Sequence, residues 1–85
     1  METAKRKQPR SRVLWAAQLQ SEDGQIQVRV KDLSNTGARV ICYATLRPGS
    51  DVMFQHQGLF VPAYVIWVKG DEVGLGFYRD VDPGD

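Results

Sequence analysis

The run Gln25-Ile-Gln-Val-Arg-Val30, followed by Asp32-Leu-Ser-Asn-Thr-Gly37, carries the clearest structural pattern in the chain. Apolar and polar residues alternate strictly through its first part, which is the period of a β-strand with one buried face. In its second part, Asp, Ser, Asn and Thr side chains can hydrogen-bond nearby backbone groups, and Gly37 can take a positive φ at little cost. We therefore predict a strand that ends in a tight, polar strand-to-strand corner. Asp32 is expected to accept hydrogen bonds from the backbone of this corner.

Short apolar runs separated by turn residues continue on both sides of this stretch. Ser21-Glu-Asp-Gly24, Pro48-Gly49 and Gly70-Asp71 are typical turn sequences. The predicted strands span residues 13–20, 25–31, 38–43, 51–55, 59–69 and 73–77. Since no segment has a convincing helical period, six short strands predict an all-β antiparallel barrel or sandwich. A barrel is favoured because closing the sheet removes the exposed edges that a small protein has difficulty protecting.

Particular residues of the predicted strands carry further expectations. Trp15 lies where a strand is apolar on both faces, so it is expected in the core. Pro62 cannot donate a ladder hydrogen bond, which requires a sheet edge or a bulge at that point. Trp67 falls on the same side of the alternation as the apolar residues before it, so core packing is its first expected role. The glycines of the last strand, Gly74 and Gly76, are expected to let another group pack closely.

Size and charge distribution define the organisation of the chain. Its 85 residues make one small domain, and 42% hydrophobic with 25% charged residues is typical of a globular protein. The net charge of +1 argues against a general DNA-binding role, but five of the eleven basic residues fall in the first twelve positions. Residues 1–11 are therefore predicted to form a flexible basic arm, residues 12–79 the barrel domain and residues 80–85 an acidic tail.

The remaining motifs bear on compartment and chemistry. The lone Cys42 lies in an apolar strand, so we expect a buried core residue and a reducing compartment. No apolar segment follows the basic N-terminus, and the longest apolar run, Leu59 to Val68, is too short to span a bilayer, which predicts a cytoplasmic protein. His56 has no Cys or second His at metal-ligand spacing, and the sequence has no P-loop, HExxH motif or recognisable Ser–His–acid set. We therefore expect a protein that is not an enzyme, with no catalytic residue, metal or cofactor.

Two motifs resemble those of a known family. Arg6-Lys-Gln-Pro-Arg10, followed about twenty residues later by Asp32-Leu-Ser-Asn-Thr-Gly37, resembles the RxxxR and [DN]xSxxG pair of PilZ domains. PilZ domains are bacterial six-stranded β-barrels that bind the second messenger cyclic di-GMP. Val65-Ile-Trp67 and Gly74-Leu-Gly-Phe77 also look like later strands of that family. The resemblance covers roughly residues 5–78, and it implies a six-stranded antiparallel barrel of the split-barrel type.

The sequence departs from the family pattern at two points. PilZ domains commonly close with a C-terminal helix, whereas this chain has an acidic tail, so the helix is expected to be short or absent. Arg10 is followed by Ser11 and Arg12 rather than directly by an apolar residue. Arg6 and Arg10 fit the motif spacing, and Arg12 is the alternative for the second arginine.

The resemblance implies a site for a ligand with two phosphodiester charges and two guanines. The arginine fork matches phosphate oxygens and the O6/N7 edge of guanine, while a carboxylate accepts from the guanine N1–H and N2–H₂ groups. The expected ligand-binding residues are Arg6, Arg10, Asp32, Ser34 and Gly37. Secondary candidates are Lys5, Arg12, Asn35 and Trp67. The glycine is expected to permit the turn and the close approach of the ligand.

The function predicted from this resemblance is a cyclic di-GMP receptor. Ligand capture is expected to order the arm and to change the surface offered to a partner protein or, through self-association, to a homo-oligomer. One alternative is a PilZ-like adaptor that binds a protein without nucleotide. Another is a small barrel that binds single-stranded RNA, which requires exposed aromatic residues on one sheet face. The sequence places most of its aromatic residues on apolar strands.

Overall fold

The computed structural model describes residues 14–81, and its regular structure in that range is entirely β-strand. The six strands are β1 (Trp15–Ser21), β2 (Gly24–Leu33), β3 (Gly37–Ile41), β4 (Asp51–His56), β5 (Leu59–Lys69) and β6 (Glu72–Phe77). Within residues 14–81 there is no helix. The predicted all-β class is therefore confirmed. The predicted basic arm, residues 1–11, and all but the first two residues of the predicted acidic tail lie outside the described residues.

The strands form a closed barrel in the order β1-β2-β3-β6-β5-β4. Every neighbouring pair is antiparallel. Closure comes from β1 and β4, where Gln18–Gln20 pair with Met53–Gln55. The predicted barrel, rather than a sandwich, is confirmed. Two-residue connections at Gln57-Gly58 and Gly70-Asp71 join consecutive strands, and both Gln57 and Gly58 have the positive φ of a type I′ hairpin turn.

The core fills the barrel interior with side chains from alternate positions of all six strands. Its largest fully buried members are Phe54, Leu19, Val30, Val40, Val61, Val65 and Val73. Cys42 is buried as predicted. The alternation predicted for the second strand is also confirmed, because Val28 and Val30 point inward while Gln27 and Arg29 are exposed. This interior burial is the main stabilising contribution that a barrel of this size has available.

The start of β1 differs from the prediction. Leu14 and Trp15 are 40% and 39% exposed, so the expectation of a strand buried on both faces, with Trp15 in the core, was wrong. Trp15 lies at one mouth of the barrel, where strand neighbours no longer surround it. Its ring stacks on His56 with the centroids 5.8 Å apart. Burial on the inner face begins only at Ala17.

Two β-bulges change which face the following residues occupy. In β2, Val30 pairs with Val40 and Asp32 pairs with Arg39, so Lys31 is an extra residue. An extra residue reverses the inward and outward alternation beyond it. Without it, Asp32 would share the inner face with Val30. With it, Asp32 points outward, where its carboxylate is about half exposed.

The second bulge is in β5, at Ile66 and not at Pro62. Val65 pairs with Leu75 and Trp67 pairs with Gly74, which leaves Ile66 as the extra residue. Pro62 is accommodated for another reason. The pairing of β5 with β6 ends at Ala63, so Pro62 occupies a local sheet edge, where its carbonyl accepts a hydrogen bond from the Tyr78 amide at 2.9 Å. Of the two alternatives predicted for Pro62, the edge is therefore the one realised.

Candidate ligand-binding surface

The corner between β2 and β3 is held by the Ser34 side chain. Its hydroxyl accepts from the backbone N–H groups of Thr36 and Gly37, at 3.3 and 3.2 Å, and donates to the Gly37 carbonyl at 3.2 Å. This is the local side-chain-to-backbone bonding that favours serine in turns. The expectation that Asp32 would act partly as an acceptor for the corner's backbone was wrong, because its carboxylate accepts from Arg39 instead. Within residues 14–81, Ser34 has that role.

The corner is also braced from the far end of the chain. The Phe77 amide donates to the Thr36 carbonyl, and the Val81 amide donates to the Asn35 carbonyl, both at 2.9 Å. Val81 itself is buried against the core. The backbone of Asn35 and Thr36 is therefore fixed from inside, while their side chains remain exposed. The result is an ordered turn with polar groups at its surface.

Gly37 is required for a different reason from the one predicted. Its φ is not in the positive region. A Cβ at this position would instead collide with the carbonyl oxygen of Leu75 in the neighbouring strand. Gly37 therefore allows β3 and β6 to approach each other closely next to the corner.

Asp32 is paired with a residue that the sequence analysis missed. A guanidinium nitrogen of Arg39, Nη2, donates to Oδ2 of Asp32, and the two side chains are 46% and 56% exposed respectively. The pair spans β2 and β3 directly after the corner's bulge. Among residues 14–81, the second carboxylate oxygen and the other guanidinium N–H groups make no further side-chain hydrogen bond. The sequence does show opposite charges on either side of the turn, at Asp32 and Arg39. It does not show that they face each other, because that depends on the bulge in β2.

Trp67 lies on the same outer surface as this ion pair. The prediction of core packing was wrong because the bulge at Ile66 turns Trp67 outward, where it is 37% exposed. Cross-strand partners link Asp32 to Arg39, Arg39 to Gly74 and Gly74 to Trp67. An acid, a base, a glycine and an indole thus form one row across four strands.

The indole of Trp67 covers the glycine of this row. A Cβ at Gly74 would collide with Nε1 and Cε2 of the ring, and Gly74 is buried although it faces outward. The Tyr64 ring covers Gly76 in the same way. The prediction that these two glycines allow close packing of another group is confirmed. The Tyr64 ring also packs against Tyr78, with centroids 4.9 Å apart.

Two further contacts determine the electrostatics of the outer surface. The Lys31 ammonium lies 2.5 Å from Oε2 of Glu72, and this hydrogen bond holds the pKa of Glu72 below its ordinary value. The Tyr78 hydroxyl donates to Asp51, which raises the pKa of Tyr78. Lys31 and Arg39 are each neutralised by a carboxylate. Neither therefore brings an unbalanced positive charge to the corner.

The predicted basic residues Lys5, Arg6, Arg10 and Arg12 lie outside the described residues. The structure does define where the chain that follows them enters the barrel. Trp15, at the start of β1, pairs with Val30, and the Asp32–Gly37 corner begins two residues after Val30. The chain therefore joins the barrel at the same mouth as the corner.

Two grooves of the barrel lie away from the corner. A groove of about 890 Å³ lies at the opposite mouth, between the Ser21–Ile26 hairpin and residues 44–52. A smaller one, of about 290 Å³, lies against β1 and β4 beside His56. Neither is lined by residues of the corner. The candidate site, the corner with its outer row, lies outside both of these grooves.

Other classes of site find no counterpart in the described part of the chain. Residues 14–81 do not gather three or more His, Cys, Asp or Glu side chains in a way that could hold a metal ion. No helix in that range could cross a membrane.

The described residues thus combine a small closed antiparallel barrel with an exposed polar corner. The family model of the PilZ domain matches residues 4–85, which is nearly the whole chain and includes both the arginine motif and the corner. The chain therefore belongs to the PilZ domain family. PilZ domains are a cyclic di-GMP-binding family whose members act as binding and adaptor domains rather than enzymes. No curated protein gives a significant match to the chain.

Proposed function

We propose that this protein is a cyclic di-GMP receptor that holds the dinucleotide between its N-terminal arginines and the Asp32–Gly37 corner. The observation that carries the proposal is the position of Leu14 and β1 at the same barrel mouth as the corner. Arg10 precedes Leu14 by four residues, and four extended residues span at most about 14 Å. This reach supports a binding site in which Arg10, with Arg6 four residues before it, contributes to the corner.

The arginines supply what the outer surface lacks. The cations beside the corner, Lys31 and Arg39, are already paired with acids. A ligand with two phosphodiester groups requires additional positive charge. Arg6 and Arg10 provide it in a planar, bidentate form that lysine cannot match. Lys5 and Arg12 add charge on either side of the motif.

The corner supplies the groups that recognise the base. Asp32 has an exposed carboxylate that accepts from the guanine N1–H and N2–H₂ groups. Ser34 fixes the turn that presents this carboxylate, and Asn35 offers an exposed amide. Gly37 allows β3 and β6 to lie close together directly beside the corner. Trp67, turned outward by its bulge, offers an exposed indole on which a base can stack.

The signal passes on through the surface created when the ligand is bound. Arginines that close over cyclic di-GMP cover the outer row and present a new face to a partner protein or to a second copy of the chain. Binding of the ligand is thermodynamically coupled to ordering of the arm, so the ordered arm signals that the ligand is bound.

Calorimetry with the full chain tests the proposal. Cyclic di-GMP is expected to bind at micromolar concentration in low salt, and Arg10→Ala is expected to weaken binding. A charge-assisted hydrogen bond contributes roughly 1.5–3 kcal/mol, which corresponds to about a ten- to hundredfold loss of affinity. Arg47→Ala is the matched control, because Arg47 is exposed at the opposite mouth of the barrel. It should leave the affinity unchanged.

One observation favours the adaptor alternative. The Asp32 carboxylate is already neutralised by Arg39 within the barrel itself, so the corner does not require a ligand to satisfy it. If the wild-type chain gives no heat with micromolar cyclic di-GMP in low salt, the receptor proposal fails. Binding of a protein partner that persists in an Arg6→Ala, Arg10→Ala double variant would then support the adaptor.

A further inference from the structure

Arg39 is positioned for more than pairing with Asp32. An exposed ion pair contributes little to the stability of a fold. This pair uses one guanidinium nitrogen and one carboxylate oxygen, and both side chains are about half exposed. The second Asp32 carboxylate oxygen, an acceptor, and the remaining Arg39 N–H groups, which are donors, therefore lie side by side on the outer surface next to the corner.

This arrangement matches one edge of guanine. Guanine presents its N1–H and N2–H₂ donors next to the O6 acceptor, whereas adenine presents a donor, N6–H₂, at the position of O6. A carboxylate beside a guanidinium offers the complementary order, an acceptor followed by donors. Against adenine, the same guanidinium would face a donor and leave it without a partner, which is unfavourable.

An aromatic ring on which a base can stack lies next to Arg39 across the sheet. The cross-strand partner of Arg39 in β6 is Gly74, and the indole of Trp67 covers Gly74. Adjacent strands lie about 4.8 Å apart, which is close to the width of one base ring system. A base seated on the indole therefore has one edge toward the paired Asp32 and Arg39 side chains.

We propose that Arg39 is a specificity-determining residue, which donates to guanine O6 while Asp32 accepts from the adjacent N1–H and N2–H₂ groups. This inference rests on the proposed function. It adds a residue outside both recognised motifs and assigns to it the rejection of adenine-containing cyclic dinucleotides.

Binding of three cyclic dinucleotides, containing guanine, hypoxanthine or adenine, tests this inference. Hypoxanthine keeps O6 and N1–H but lacks the N2 amino group. Arg39→Met should weaken both the guanine and the hypoxanthine ligand by the same factor, about ten- to hundredfold. It should not weaken the adenine ligand, whose affinity is measured by displacement of the guanine ligand. Thermal melting establishes that the variants are folded.

Arg29→Met is the matched control for charge, because Arg29 is an exposed arginine on the outward side of β2 outside the row. It should affect all three ligands equally and weakly. Arg39→Lys retains one donor and the charge, and should recover part of the guanine preference. An equal loss for guanine and adenine ligands in Arg39→Met would mean that Arg39 acts through charge alone, and would overturn the inference. Unchanged guanine affinity would overturn it as well.

The two proposals fail in different ways. If the wild-type chain binds none of the three ligands, the receptor function itself is wrong and this inference falls with it. If the wild-type chain binds the guanine ligand and Arg10→Ala weakens it, but Arg39→Met does not alter the preference between bases, only this inference is wrong.

Discussion

Gly37 shows how a single residue in the corner serves both the fold and the site. The Leu75 carbonyl oxygen occupies the space in which a side chain would begin. A backbone atom in a paired strand cannot move aside cheaply, since its displacement disturbs the ladder. The absence of a side chain therefore sets the distance between β3 and β6 beside the polar turn.

Gly37→Ala is expected to destabilise the protein, because the added methyl group must push two paired strands apart. Overpacking of this kind costs about 1–3 kcal/mol. Urea denaturation measures the loss. Asn35→Ala is the control in the same turn, since the structure uses the Asn35 carbonyl and leaves its side chain exposed. The control should change stability by less than about 0.5 kcal/mol. Equal stability of Gly37→Ala and the wild type would contradict the close approach.

At the scale of the strand, the bulges decide which side chains reach the outer surface. Ile66 is the extra residue of β5, and the Val65–Leu75 and Trp67–Gly74 pairs continue on either side of it. Removing Ile66 leaves both of these pairs in register. Removing a regularly paired residue would instead reverse the facing of every residue up to the next irregularity.

Deletion of Ile66 is therefore expected to be tolerated better than deletion of Tyr64, the nearest outward, regularly paired residue before the bulge. The Ile66 deletion should remain folded, with some loss of melting temperature because a bulge contributes local twist. Its Trp67 should remain partly exposed to a collisional quencher such as acrylamide. The Tyr64 deletion should lose cooperative unfolding. The reverse order of stability would show that the extra residue has been assigned incorrectly.

The bulges also mark the limit of what the sequence predicts. Alternation and turn pairs were sufficient for six strands, for the order of turns and for an exposed polar corner at Asp32–Gly37. Neither Lys31 nor Ile66 is a residue type that signals a bulge, because the extra position is decided by pairing with the neighbouring strand. The outward position of Trp67 and the Asp32–Arg39 pair both follow from those bulges. Sequence alternation alone therefore placed Trp67 inside and did not connect Arg39 with the corner.

At the scale of the whole molecule, the barrel is joined by ladders of unequal length. The pairing of β1 with β4 comprises three Cα partners, whereas β1 and β2 share seven. A short ladder has few hydrogen bonds that must break together. The pairing of β1 with β4, the β1–β4 seam, is therefore the part of the closed sheet that we expect to open at the lowest free-energy cost.

Amide hydrogen exchange should detect this difference. Regions open locally with free energies that follow their local contacts and hydrogen bonds, so we expect the seam amides in Gln18–Gln20 and Met53–Gln55 to exchange before the paired amides of β6. Mass spectrometry of peptic fragments, or NMR, distinguishes the two regions. Slower exchange at the seam than at β6 would show that barrel opening begins elsewhere.

Both sides of the described chain, Leu14 before β1 and Val81 after β6, meet the barrel at the mouth that carries the corner. Attachment to a biosensor surface at a position next to Leu14 or Val81 would therefore hold this mouth toward the matrix and hinder access of analyte. The Glu22–Asp23 and Gly70–Asp71 hairpins project from the other mouth. A single cysteine introduced into one of them would provide an attachment point that leaves the corner open to the flowing solution.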